Sequence, residues 1–256
     1  TDIDRRVSIE LPDGIDPERP APFRPSRDAI LQGCRGLTDP EISNVLAKSR
    51  ALRGFVDLDV ITAEKRQIVR KRGVLEIEET ERTIHDVGGL DALIAWMQRR
   101  AAAMGPEGEA FGLPPPKGIL CVGPPGTGKS LVARVGASIF GVPLLRFDAS
   151  NIYSPLLGEA EQHLREAFKL ASAIAPAVML MDEVEKLFGQ GDRDGGTSQR
   201  VLAATLSWLQ DRTAPVFVVA TANRVQNGRL PPELMRRGRF DEIFFVDLPS
   251  PVEREA

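Results

Sequence analysis

The chain has 256 residues, 42% of them hydrophobic, with a formal net charge of -3. That length can bury a sizeable core, and the acidic balance leaves no electrostatic footprint for routine nucleic-acid binding. Two cysteines far apart in sequence exclude a disulfide framework, and no apolar run reaches the ~18 residues of a membrane helix, so a reducing, cytoplasmic setting is expected.

Five prolines between Leu11 and Ser26 mark residues 1–29 as an extended linker. A small helical N-terminal segment, 30–80, comes next. Thr38-Asp39-Pro40-Glu41 is a capping box with Pro in the first turn, and Ile42, Val45 and Leu46 continue it at helical spacing to about Arg50. A second helix is expected from Thr62 to Arg72, with Gly73 as its stop. Its basic residues, Lys65, Arg66, Arg70, Lys71 and Arg72, suit a solvated face better than a nucleic-acid or subunit contact. Val74–Ile77 is strand-like. A helix carrying Leu90, Leu93, Ile94, Met97 and Ala101 on one face then ends before Gly105-Pro106.

Gly123-Pro124-Pro125-Gly126-Thr127-Gly128-Lys129-Ser130 fits Gly-x-x-x-x-Gly-Lys-[Ser/Thr] between an apolar run, Gly118–Val122, and a helix opening at Lys129. Backbone N–H groups and a helix N-terminus would face a polyphosphate, Lys129 would reach its β- and γ-phosphates, and Ser130 would ligate Mg2+. Leu131 closes this phosphate-binding stretch. The helix stops at Gly141, Leu144–Asp148 reads as a strand, and an amphipathic helix is expected over Gly158–Ser172.

Ala177–Met181 is apolar on both faces, as a buried parallel strand should be, and ends in Asp182-Glu183. Asp182 there can hold Mg2+, and Glu183 can polarise the attacking water. The alternative is that Glu183 opens a short helix to Phe188. A helix over Thr197–Gln210 leads to the strand Pro215–Ala220, tipped by Thr221-Ala222-Asn223, whose amide suits a γ-phosphate contact or an Asx turn. Arg236, Arg237 and Arg239 crowd around Gly238 before a last strand, Glu242–Asp247.

Taken together, Gly123–Ser130, Met179–Glu183, Asn223 and Arg236-x-Gly-Arg239-Phe240-Asp241 resemble the ATPase core of the AAA family over Thr83–Pro249. The resemblance implies a P-loop α/β/α sandwich spanning 81–250, with a parallel five-stranded sheet in order 5-1-4-3-2, and a lid beginning near 251–256. It implies ATP and Mg2+ as cofactors, with Asp86, Val87 and Gly88 by the adenine and Asn223 as a polar sensor. Arg236 and Arg239 would act in a neighbour's site within a homo-oligomeric ring, a hexamer, that remodels a protein client. Asp86–Asp91, Pro143–Asp148 and Gly238–Phe245 are similar to the AAA proteins named after a hypothetical chloroplast reading frame, for which a plastid stroma is also a possible setting. Leu156 stands where peptide-threading members carry an aromatic, with Tyr153 nearby, so a slow ATP-dependent assembly switch stays open, as does nucleic-acid remodelling. His85 and His163 do not form His-Glu-x-x-His, and no Asn-Lys-x-Asp follows a strand, which sets aside a fused metalloprotease and a guanine-nucleotide switch.

Overall fold

The structure, a computed structural model, describes residues 25–78, 89–149, 152, 159–188, 196–223 and 230–248. The chain divides into two compact units at Gly73/Val74. In the first, helices α1 (Arg27–Cys34), α2 (Asp39–Arg53) and α3 (Leu58–Lys71) pack Ile30, Cys34, Ile42, Leu46 and Ile61 into one core. α1 starts inside the stretch expected to be linker. Ser26 caps it by accepting from the Ala29 N–H at 3.2 Å, a local bond that overrides the surrounding prolines. Glu41 accepts from the Thr38 N–H at 2.7 Å and from Arg72, which ties the start of α2 to the end of α3.

The second unit is built on a six-stranded sheet of β1 (Leu75–Glu78), β2 (Gly118–Val122), β3 (Leu144–Phe147), β4 (Ala177–Met181), β5 (Val216–Ala222) and β6 (Glu242–Phe245). Its order is β1-β3-β4-β5-β2-β6. Five strands are parallel, and β1 adds a sixth, antiparallel one against β3, which the five-stranded expectation omitted. That pairing draws Leu75–Glu78 out of the helical segment and explains why the division falls at Gly73/Val74 rather than near residue 80.

Helices α4 (Asp91–Arg100) and α6 (Lys129–Phe140) cover one face. Trp96, Met97, Val132 and Val135 there meet Ile119, Cys121, Val178, Leu180, Phe217 and Val219, the alternate residues of β2, β4 and β5. Between α4 and α6 comes the short helix α5 (Pro106–Ala110). α7 (Glu159–Ile174) and α8 (Thr197–Asp211) pack together on the opposite face, where Phe168 stacks on Phe147 and, at 4.2 Å between centroids, on Trp208. β2, β4 and β5 are buried at every position, as strands sandwiched between helical layers must be.

Lys65 in α3 is only 8% exposed. Burial pushes its ammonium down to about 8, the thiol of Cys34 acting upward and Arg35 downward. A lysine whose folded pKa is depressed carries its full cost below pH 8, and the cost disappears as pH rises toward the unfolded value near ~10.4. Lys65→Met is therefore expected to stabilise the chain at pH 7, by about 1–3 kcal/mol. Urea unfolding by circular dichroism should show that gain shrinking between pH 8 and pH 10.5.

Candidate functional site

β2 delivers the phosphate loop. A side chain at Gly123 would run into the Val246 carbonyl, so only glycine lets the loop leave beside β6. Gly126 and Gly128 then adopt left-handed backbone, with φ of 82° and 83°, and turn the chain into α6. Lys129, 6% exposed, opens that helix and donates its ammonium to the Gly123 carbonyl at 3.0 Å and to that of Pro124. Thr127 Oγ1 donates to the same Pro124 carbonyl at 3.0 Å, closing the loop around the lysine. Burial holds the Lys129 ammonium below its usual range, opposed by Asp182, Glu185, Cys121 and Glu183. Leu131 packs its side chain against the core and donates its N–H to the Gly128 carbonyl at 2.9 Å.

The tips of β4 and β5 come to this loop. Ser130 Oγ lies 3.1 Å from each Asp182 oxygen. Asp182 Oδ1 in turn accepts from Thr221 Oγ1, which also accepts the Glu183 N–H at 2.9 Å. Asn223 Nδ2 donates to Glu183 Oε1 at 2.8 Å, the Asn223 N–H donates to Glu185 Oε1 at 3.1 Å, and the Lys186 ammonium meets Glu183 Oε2. Glu183 itself has left-handed backbone, φ 50°, and Val184–Leu187 after it form a 3-10 turn rather than a helix starting at Glu183. Sequence reasoning passed over Thr221 and Glu185. The signal available was spacing alone: Thr221 is two residues before Asn223, and Glu185 two after Glu183.

The arginine turn lies elsewhere. β6 runs parallel to β2 with Ile119 opposite Glu242, so Arg236 and Arg239, which precede β6, sit at the end of the sheet away from the phosphate loop. Asp241 Oδ2 fastens the turn by accepting the N–H groups of Lys117, at 2.7 Å, and Gly118, at 2.9 Å. Lys117 Nζ returns the contact to the Gly238 carbonyl at 2.7 Å. Arg212 braces the same corner, donating to the carbonyls of Leu209 at 2.7 Å and Val216 at 3.2 Å and to that of Lys117. Burial lowers Arg212 to about 10, with Asp241 opposing. Arg236 is exposed on a groove of about 790 Å³ that Arg100, Pro115 and Arg237 also line. Arg239 is half-buried and donates Nη1 to the Glu233 carbonyl.

Asp86, Val87 and Gly88, expected beside the adenine, lie outside the described residues, as do His85, Tyr153 and Leu156. In the basic run of α3, Lys65 is buried and Arg72 is paired with Glu41, which breaks up a continuous cationic face.

Residues 119–248 match the model of the ATPase family associated with various cellular activities (AAA), and residues 23–72 match that of the second domain of SpoVK-like AAA ATPases. The uncharacterised AAA domain-containing protein ycf46 of Pyropia yezoensis is 42% identical over 89% of this chain and 47% of its own length. That of Guillardia theta is 40% identical over 90% and 46%. The proteasome-activating nucleotidase of Methanopyrus kandleri is 33% identical over 75% and 45%. The chain thus spans about half the length of these relatives.

The Asp241 clamp is testable apart from any activity. Asp241→Ala leaves two backbone N–H groups without their charged acceptor, and is expected to cost about 1–3 kcal/mol in urea unfolding.

Proposed function

The chain belongs to the AAA ATPase family, and from that membership and the geometry of the site we propose that it binds ATP with Mg2+ and hydrolyses it. The working form is a ring of copies, a hexamer, that remodels a protein partner. The observation that carries this reading is the hydrogen-bonded series Ser130, Asp182, Thr221, Glu183, Asn223, gathered from two strand tips and a helix start beside the phosphate loop. The Methanopyrus relative is named a nucleotidase, in keeping with hydrolysis.

Among the described residues no three His, Cys, Asp or Glu side chains gather into a metal-binding group. Mg2+ does not need one, since it keeps water and substrate phosphates as ligands and takes one or two protein oxygens. Ser130 and Asp182 offer hard oxygens side by side, and they fit. When bound, the ion would offset charge on the β- and γ-phosphates. Lys129 binds the same phosphates as a point charge. Glu183, acidic and held at the rim, orients and polarises the attacking water, and Asn223 fixes the carboxylate through Oε1.

Arg236 supplies the remaining charge to a neighbour. A five-residue strand is about 16 Å long, and β2 separates the arginine turn from its own phosphate loop by that length. A copy's own arginines are therefore remote from its own triphosphate. The exposed Arg236 is free to reach outward, whereas Arg239, bound to Glu233, shapes the turn.

ATP turnover measured against protein concentration tests this reading. Glu183→Gln is expected to lower kcat about 100-fold or more while retaining ATP binding, and Arg236→Ala to lower it about 1,000-fold. Mixing the two variants should restore part of the activity, because one brings an intact glutamate and the other an intact arginine. Unchanged turnover in either variant removes the role given to that residue.

A further inference from the structure

We propose that Thr221 is a positioning residue for hydrolysis, a single hydroxyl that sets both acidic groups of the site. The inference rests on the reading of the site as a Mg-ATP hydrolase.

Thr221 is 1% exposed, so its hydroxyl must find partners within the protein. A hydroxyl has one proton to give and lone pairs to accept with. The proton goes to Asp182 Oδ1, an ionised acceptor, and a lone pair takes the Glu183 N–H at 2.9 Å. One atom therefore orients the carboxylate that Ser130 also touches and anchors the backbone of the next residue.

That anchor matters because of the conformation it holds. Glu183 has φ 50° and ψ 51°, a left-handed backbone that is strained for a residue with a side chain and persists only where its surroundings over-determine it. β5 and the residue after it supply two such constraints on Glu183: Thr221 holds its N–H and Asn223 holds its Oε1. The Lys186 ammonium is on the other oxygen but is two-thirds exposed, so it is a weak restraint. Without the Thr221 hydroxyl the backbone N–H loses its acceptor, and relaxation toward negative φ would swing the Glu183 carboxylate away from Asn223. Asp182 would keep only Ser130 among these two hydroxyls. Valine has the shape of threonine without either bond; serine has both bonds without the methyl.

The test compares the parent chain with Thr221→Val, Thr221→Ala and Thr221→Ser. The readouts are steady-state ATPase rates, binding of a fluorescent ATP analogue with Mg2+ and with EDTA, and thermal melting. Thr221→Val is expected to lower kcat about 10- to 100-fold, and to weaken the Mg2+-dependent part of analogue binding by about tenfold, with KM for Mg-ATP rising in step. Affinity in EDTA should stay within about twofold of the parent, and Thr221→Ser should recover kcat to within about threefold. Should Thr221→Val lose its cooperative melt, Thr221→Ala takes its place in each comparison. A Val or Ala variant with parental kcat, a loss confined to KM, or a serine variant as damaged as valine each overturns the proposal. If the parent itself does not turn over ATP, the hydrolase reading fails, and the Mg2+-dependent binding of the variants still decides whether Thr221 positions Asp182.

Discussion

The site depends on the parallel pairing of β4 with β5, in a register that sets Met181 against Ala220. Both strands are buried along their whole length, and up to that pair every side chain is apolar. The first polar side chains beyond that register pair, Asp182 and Thr221, therefore emerge side by side and bond to each other. Desolvation enforces the contact, because an unpaired oxygen there would cost more than the bond returns. The chemistry is concentrated where the apolar core runs out.

The same logic explains what was legible in the sequence. β2 and β4 are continuous apolar runs with polar or glycine ends, and their limits in the structure agree with the limits read from the sequence. The phosphate loop carries its own geometry in its glycines, two of which need positive φ. α6 comes next, with Gly141 as its left-handed stop. These features are written locally. β1 is different: Leu75–Glu78 is only partly buried, and its antiparallel partner is some 70 positions away, Leu75 facing Phe147. No local period announces such a pairing. α1 was hidden by the prolines around it, although Ser26 carried a helix-start signal.

The site residues divide in the same way. Lys129, Ser130, Asp182, Glu183 and Asn223 could be named because a motif or a strand tip marks each one. Thr221 stood in the same tip but was given no role, because a threonine beside a strand ordinarily means β-propensity, and its role appears only when the structure extends β5 to Ala222 and lays β4 beside it. Glu183 was legible as an acid at a rim but not as a left-handed residue, since that conformation is imposed by bonds from Thr221 and Asn223. Arg236 and Arg239 look equivalent in the sequence. Only the turn separates an exposed guanidinium from a half-buried one that donates to the Glu233 carbonyl.

β2 joins the two ends of this chemistry. At its start, a side chain on Gly118 would collide with the Val218 carbonyl of β5; at its exit, one on Gly123 would collide with the Val246 carbonyl beyond β6. Both flanking strands thus close on β2 at points that only glycine permits, and its five buried residues hydrogen-bond to β5 on one side and β6 on the other. The Gly123 end fixes the phosphate loop, and the Gly118 end, through Asp241, fixes the arginine turn. A strand held on both edges has little freedom to stretch or slide, since interiors are packed too densely to deform continuously. The distance between the phosphate loop and the arginine turn is therefore set inside a single buried strand. A shift of the phosphate loop along β2 is carried to the arginine turn at the other end of the strand.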